Sequence, residues 1–177
     1  MRQLADLGYA RMSMESVASE AGVARATVYR RYRDKADLVT AAIAASPGPL
    51  PVPSSGDPLD DLVAFLDEFD LRFAESCLEV IGCLIGSRET PHAMALHRAR
   101  VVEPRTGYVR ALLVRAQELG RLAPGADVEV ALQLLAGAVF ARRVAGVPPE
   151  RGWARRAVET LCRGIARPGT GTTTLRN

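Results

Sequence analysis

The sequence predicts an all-α fold with a small N-terminal helical domain and a larger second domain that is also helical. Apolar residues recur at helical spacing almost throughout, and no stretch alternates convincingly enough for a strand. Residues 46–58 interrupt this spacing with five prolines and two glycines, which is typical of an exposed connector. We therefore expect domains over 1–46 and 59–167, a connector over 47–58 and a disordered tail over 168–177.

Residues 14–21 and 25–32 predict two short helices joined by a sharp turn. Ser13 can cap the first helix, because its hydroxyl can accept a hydrogen bond from a free backbone N–H of the first turn. Gly22 tolerates the left-handed conformation that ends helices, and it lets two helices meet closely. Val23 is expected to dip into the core beneath this turn.

The second short helix has an inner and an outer face. Val28 and Tyr32 lie four residues apart and are expected to point inward. The positions left on the outside are Arg25, Ala26, Thr27, Arg30 and Arg31. Small residues beside arginines suit a helix in a DNA major groove, since an arginine can bind guanine and a threonine can contact a phosphate or a thymine methyl group.

A third helix is expected over residues 34–45, with Asp34 as its cap and Lys35 in its first turn. A cation at a helix start is unfavourable unless an anion lies opposite, so the position suggests a phosphate site. Residues 25–35 hold five cations against a single acid, whereas the whole chain carries a net charge of only +3. The local charge, rather than the total, therefore favours nucleic acid.

Residues 4–45 resemble the DNA-binding domain of the TetR family of bacterial transcriptional repressors. The residues that carry the resemblance are Gly8-Tyr9, Ser13-Met14, Val17-Ala18, Ala21-Gly22-Val23, Thr27-Val28-Tyr29, Tyr32, Asp34-Lys35 and Leu38. The resemblance implies that Arg25 to Arg31 form the recognition helix and that Tyr29 and Lys35 contact phosphates. It also implies that the helix beginning near Ser13 contacts the DNA backbone. The positions it brings to base edges are Arg25, Ala26, Thr27 and Arg30.

Two features depart from the family pattern. The first helix is short, with only about residues 2–7 before the Gly8-Tyr9 pair. Either the domain is less stable, or the native start codon lies upstream; an intact mass with Met1 as terminus would refute the second idea. Ala24 stands where a capping serine or threonine is common, so we expect the recognition helix to fray until DNA orders it.

The remaining chain predicts helices over 59–76, 78–87, 91–101, 104–119, 127–145 and 150–166. This part resembles the ligand-binding and dimerisation half of TetR-like regulators, notably over 112–122 and 127–146. The resemblance implies that the last two long helices, Val128 to Val144 and Trp153 to Ile165, form a four-helix interface between two subunits. The apolar faces available for it comprise Ala131, Leu134, Leu135, Ala138, Val139, Ala157, Val158, Leu161 and Ile165.

An aromatic stripe runs along the first helix of the larger domain, where Phe65, Phe69 and Phe73 are four residues apart. It can line an effector pocket or simply pack in the core, and only a cavity separates these alternatives. Tyr108 and Phe140 are further aromatic candidates for an apolar pocket.

Composition and motifs favour a cytoplasmic regulator rather than an enzyme. The chain of 177 residues has no membrane-length apolar run, no signal peptide and three cysteines, an odd number that argues for reduced thiols. His92 and His97 are five apart, which is poor spacing for metal ligands. The adjacent acids Asp60-Asp61 and Asp67-Glu68 look like solvated helix faces, and no nucleophile with a base, phosphate loop or cofactor motif accompanies them.

The sequence thus predicts a homodimeric repressor without cofactor or metal. It would bind a palindromic operator and leave it when a small apolar effector enters the larger domain. The alternative is a helical dimer that binds small molecules or a protein partner and has lost specific DNA binding.

Overall fold

The computed structural model describes residues 2–45, 52–73 and 91–164 of the chain. As predicted, these residues are helical apart from short connections, and none of them forms a strand. The helices are α1 (Arg2–Arg11), α2 (Met14–Glu20), α3 (Arg25–Arg31), α4 (Lys35–Ala45), α5 (Pro58–Phe73), α6 (Pro91–His97), α7 (Glu103–Glu118), α8 (Val128–Val144) and α9 (Trp153–Arg163). The predicted helix over 78–87 and the predicted tail over 168–177 lie outside the described residues. Within the described part, no helix has the length and apolarity to cross a membrane.

The turn between α2 and α3 forms largely as predicted. The Ser13 hydroxyl oxygen accepts a hydrogen bond from the N–H of Ser16 at 3.0 Å, and the Ser16 hydroxyl oxygen accepts one from the N–H of Ser13 at 3.1 Å. Gly22 has φ +66°, and the N–H of Val23 donates to the carbonyl of Ala18. Val23 itself is 42% exposed, so its predicted burial is wrong. The core beneath the turn is filled instead by Met14, Ala18 and Val28.

A second apolar cluster joins the N-terminal helices to the rest of the chain. Its buried members are Leu4, Tyr9, Met12, Ala36, Val39, Ile43 and Val101. Most belong to α1 and α4, whereas Val101 lies far along the chain, next to α7. The two domains therefore share part of one core.

A π-helical turn, Arg98–Val102, connects α6 to α7 without the break predicted between residues 101 and 104. The N–H of Glu103 donates to the carbonyl of Arg98, five residues earlier. Pro104 follows in the first turn of α7 and has no N–H to donate. The wider π turn lets the helix continue past this proline, and such turns often mark functional positions.

The core of the larger domain is formed by α5, α7, α8 and α9. Asp60 is exposed as predicted, but Asp61 and Asp70 on the same helix are buried, and Asp67 is partly buried. Asp70 pairs with Arg143 through its carboxylate, and Asp67 accepts from the N–H groups that begin α9. The solvated face expected for these acids is therefore limited to part of α5, because neighbouring helices cover the rest.

Candidate functional site

The outer face of α3 is available to a ligand. Val28 is buried and Tyr32 packs beside it, which fixes the helix against α2. Every side chain predicted to face outward is exposed, namely Arg25, Ala26, Thr27, Arg30 and Arg31. Ala24 precedes the helix and offers it no side-chain cap, as the sequence indicated. The result is a cationic face mounted on a short helix.

Tyr29 is 49% exposed and interacts with an acid of α2. Its hydroxyl donates to the Glu15 carboxylate at 2.6 Å. This hydrogen bond raises the pKa of Tyr29 and lowers the pKa of Glu15. A phosphate contact by Tyr29 therefore requires its hydroxyl to turn away from Glu15, whose negative charge a phosphate would repel.

Lys35 also has an internal partner. Its ammonium group donates to the carbonyl of Tyr9 at 2.8 Å and lies 4.4 Å from the centre of the Tyr9 ring. A second carbonyl, that of Ala10, lies at 3.4 Å. These carbonyls lie near the end of α1, just beyond Gly8, whose non-helical backbone (φ 73°, ψ 166°) interrupts the helix. The cation at the start of α4 is thus compensated by α1, with or without a phosphate.

A cavity of about 210 Å³ lies between α4, α5, α6, the π turn, α7 and α8. Three of the aromatic residues predicted for a pocket line it: Phe65, Phe69 and Phe140. Tyr108 does not line this cavity; its ring packs on Phe65 and its hydroxyl donates to the carbonyl of Pro53 at 2.9 Å. The side chain of Phe73 lies outside the described part of the structure.

One group of residues that line the cavity was not recognised from the sequence. It contains His97, Val101, Arg105 and Val109, which are four residues apart along α6, the π turn and α7. The four-residue spacing is the signal for this group in the sequence, whereas the histidine pattern alone bears only on a metal site. His97 is 5% exposed, and its Nδ1 has no hydrogen-bond partner among the described residues. Burial and the nearby charge of Arg105 lower the pKa of His97.

The helices α8 and α9 present an open apolar groove. Of the residues predicted for a subunit interface, those that line it are Leu134, Leu135, Ala138, Ala157 and Leu161. Leu134 is 58% exposed, whereas Leu135, Val139 and Val158 are buried inside their own subunit. Ala131 packs against the edge of that core. Ile165 lies outside the described residues.

Family profiles match both halves of the chain. Residues 1–42 match the family described as "Bacterial regulatory proteins, tetR family", and residues 52–161 match "Tetracyclin repressor-like, C-terminal domain". The chain belongs to the TetR family. It is a DNA-binding transcriptional regulator, and the family is not a family of enzymes.

Individual relatives of this TetR-family chain agree with the profiles. The HTH-type transcriptional regulator YdeS of Bacillus subtilis is 27% identical over 141 residues, which are 78% of this chain and 71% of YdeS. The crystal structure of the TetR family regulator SCO0332 has a TM-score of 0.68 and 27% identity, and the match covers 94% of this chain and 93% of SCO0332. The fatty acid degradation regulator FadR of Bacillus halodurans shares the fold, with a TM-score of 0.70, 18% identity and coverage of 93% and 95%.

Proposed function

We propose that this TetR-family regulator is a cytoplasmic, homodimeric repressor that binds a palindromic operator and dissociates when a small apolar effector enters the cavity. The exposed cationic face of α3 is the observation that carries the proposal. In this assignment residues 1–46 read DNA, and residues 59–167 bind the effector and the second subunit. The residues that approach base edges are Arg25, Ala26, Thr27 and Arg30. Those that approach the DNA backbone are Tyr29, Arg31, Lys35 and the region of Ser13.

The apolar groove between α8 and α9 supports the homodimer. Leu134 is largely exposed, and Ala138, Ala157 and Leu161 beside it allow close helix packing. A second copy would remove this surface from water and hold two recognition helices about 34 Å apart, the spacing of successive major grooves. Leu134→Glu should therefore yield monomers in analytical ultracentrifugation, whereas Glu129→Gln at the exposed start of α8 should not. A dimer that survives Leu134→Glu would reject this groove as the interface.

A continuous set of contacts links the cavity to the recognition helix. Ile43 of α4 and Val101 of the π turn both line the cavity and pack in the cluster shared by the two domains. Next to Val101, Arg100 pairs with Asp37 of α4. Asp37 also accepts the N–H of Arg33, just beyond α3, at 3.0 Å. An effector that prefers a different position of the π turn would thereby shift α4 and the recognition helix.

Selection from a random-sequence DNA library tests the proposal. The protein is incubated with the library at about 150 mM salt without effector, and retained DNA is sequenced. Enrichment of one palindrome is expected, and it should disappear with Arg30→Ala. The matched control, Arg115→Ala, removes an exposed arginine from α7 and should select the same palindrome. Recovery of unspecific DNA alone would contradict operator binding and favour a helical binding module.

The direction of regulation and the effector response need separate measurements. A reporter behind the selected palindrome should give lower expression when the protein is present, and increased expression would contradict a repressor. Small apolar compounds that bind the cavity should lower the affinity for the operator. Binding of such compounds with unchanged operator affinity would reject release by an effector.

A further inference from the structure

Among the described residues that line the cavity, three have polar side chains, namely His97, Arg105 and Thr106. Two of them already have contacts of their own. The Thr106 hydroxyl donates to the carbonyl of Val102 at 3.0 Å, and the Arg105 guanidinium lies over the Phe69 ring, 5.8 Å from its centre. The imidazole of His97 differs from both, since no described residue pairs with its Nδ1 atom.

The His97 imidazole is buried and uncharged. It is 5% exposed, and burial, followed by the charge of Arg105, lowers its pKa below the usual value of about 6.5. At pH 7 the ring is therefore neutral, with one nitrogen that donates and one that accepts. A buried polar atom without a partner costs free energy, and a ligand can recover this cost by supplying a hydrogen bond. The imidazole thus gives the cavity one neutral hydrogen-bonding position.

The rest of the lining disfavours a charged ligand. Apart from the three polar side chains, it consists of aliphatic, aromatic and methionine side chains. An ion that leaves water for such a surface loses hydration that a neutral imidazole cannot replace. An anion would also have to compete for Arg105, which already interacts with the Phe69 ring. A hydroxyl is uncharged and can both donate and accept, so it can pair with either nitrogen of the imidazole.

We propose that the cavity binds an uncharged, hydrocarbon-rich ligand whose single hydroxyl pairs with the imidazole of His97. The hydrocarbon part lies among the aromatic lining residues Phe65, Phe69 and Phe140. This ligand class rests on the proposed effector function and specifies it as release by an alcohol or a phenol. The volume of about 210 Å³ equals that of roughly seven water molecules in the liquid, enough for a ligand of about ten non-hydrogen atoms.

Fluorescence of Trp153 measures binding without DNA. Trp153 is the single tryptophan of the chain and packs in one cluster with Phe69 and Phe140, which line the cavity. Excitation at the red edge of tryptophan absorption avoids absorption by phenols. The probes 4-ethylphenol and 4-ethyltoluene have the same shape and differ only by a hydroxyl in place of a methyl group. At pH 7, 4-ethylphenol should bind about 3 to 10-fold more tightly, the factor expected for one net hydrogen bond in a buried site.

Two charged probes test whether the site is neutral. Both 4-methylbenzoate and 4-methylbenzylamine keep the aromatic ring and are charged at pH 7. Each should bind at least about 10-fold more weakly than 4-ethylphenol, because the cavity does not replace the hydration of an ion. Tighter binding of either ion than of 4-ethylphenol would overturn the uncharged ligand class. Comparison of 1-heptanol with 4-ethylphenol distinguishes an aliphatic alcohol from a phenol.

Variants at position 97 assign the preference to the imidazole. His97→Phe removes both nitrogens, so 4-ethylphenol should bind about 10 to 100-fold more weakly, whereas 4-ethyltoluene should change little. His97→Gln keeps a donor and an acceptor and should retain part of the preference. The control Met94→Leu changes an apolar lining residue at nearly constant volume and should retain all of it. Equal affinity for the two probes in the native protein, or a preference that survives His97→Phe, would overturn the proposal.

Operator release, measured with the same probes, separates the two proposals. Binding of 4-ethylphenol with the expected preference but with unchanged operator affinity would support the hydroxyl site and contradict effector release by this ligand. Release by 4-ethyltoluene at lower concentration than by 4-ethylphenol would support effector release and contradict the hydroxyl site.

Discussion

The N-terminal helices and the larger domain place their charged groups differently. On α3 the arginines Arg25, Arg30 and Arg31 are exposed, and the helix is fixed by one buried valine. In the larger domain Asp70 is fully buried against Arg143, whose side chain is only 5% exposed. The two residues are 73 positions apart. The first region therefore keeps its charges available to a partner, whereas the second uses charge to join distant segments.

This difference separates the expected effects of mutation. Removing an exposed cation of α3 should weaken binding and spare folding, because solvent already surrounds the group. Removing a buried acid of α5 should weaken folding first, because the cation opposite it stays buried without compensation. The predictions below test this separation, beginning with the largest effect.

Asp70→Ala should lower the free energy of unfolding by about 3 to 5 kcal/mol, because it leaves the Arg143 guanidinium buried without its carboxylate. Urea denaturation followed by circular dichroism measures the change. The control is Asp60→Ala, which breaks the exposed contact with Arg155 at 3.2 Å and should cost at most about 1 kcal/mol. Equal losses in the two variants would show that burial of the pair contributes nothing.

Arg30→Ala should weaken binding to the selected operator by about 1 to 3 kcal/mol, the range for losing a specific base contact. The stability should change by less than about 0.5 kcal/mol, since Arg30 is exposed. Fluorescence anisotropy with labelled operator measures the binding. If affinities for operator and random DNA fall by the same factor, Arg30 contacts phosphate rather than a base.

Lys35→Met tests a residue of the N-terminal helices that can serve both folding and DNA binding. It loses the hydrogen bond to the Tyr9 carbonyl and the contact with the Tyr9 ring, so unfolding should become easier by about 1 to 2 kcal/mol. If Lys35 also contacts a phosphate, the slope of log affinity against log salt concentration should fall by about 1. A stability loss with an unchanged slope would limit Lys35 to a structural role.

Asp37→Asn tests the connection between the regions. Hydrogen bonding from the N–H of Arg33, followed by the interaction with Arg100, holds the pKa of Asp37 below its usual value. The carboxylate therefore stabilises the fold above about pH 4, and this contribution declines as pH falls through the lowered native pKa. The variant should lose about 1 kcal/mol at pH 7, and its difference from the native protein should narrow at pH 3.

The response to an effector supplies the second measurement on Asp37→Asn. If the contact with Arg100 transmits the motion of the π turn, the variant should still bind the cavity ligand, but its operator affinity should change less when that ligand is added. Arg163→Gln, which removes an exposed contact with Glu159 on α9, is the matched control. An unaltered response in Asp37→Asn would exclude this pair from the coupling.

Local sequence was sufficient for the caps, the turn and the outer face of the recognition helix. The Ser13 cap, the Gly22 turn and the outward positions of α3 depend on residues at most five positions apart. The exposure of Val23 was not predictable in the same way, because it depends on tertiary packing. The space beneath the turn is filled by Met14, Ala18 and Val28.

The larger domain needed information that no local pattern contains. An apolar face on α8 predicts burial, but it does not show whether a residue is buried in the subunit's own core or against a partner. In the structure Leu135 of this face is buried, whereas Leu134 is exposed. His97 and Arg105 line one cavity, and the π turn between them continues the helix past Pro104. Sequence spacing had suggested two separate helices there.

Ala24→Ser should have the smallest effect, and its sign differs from those above. Ala24 precedes α3 with an extended backbone, φ −63° and ψ 141°, and offers no side-chain cap. A serine hydroxyl there can accept a free N–H of the first turn, as Ser13 does for α2, and should stabilise the domain by about 0.5 to 1 kcal/mol. Operator affinity should rise by a few-fold at most, because less order remains to be gained on DNA.

Thermal unfolding and anisotropy measure the two effects, with Ala24→Val as the control that adds bulk without a cap. A more stable Ala24→Ser protein with unchanged affinity would show that α3 is already fully ordered before it meets DNA, so that fraying of the recognition helix does not limit binding.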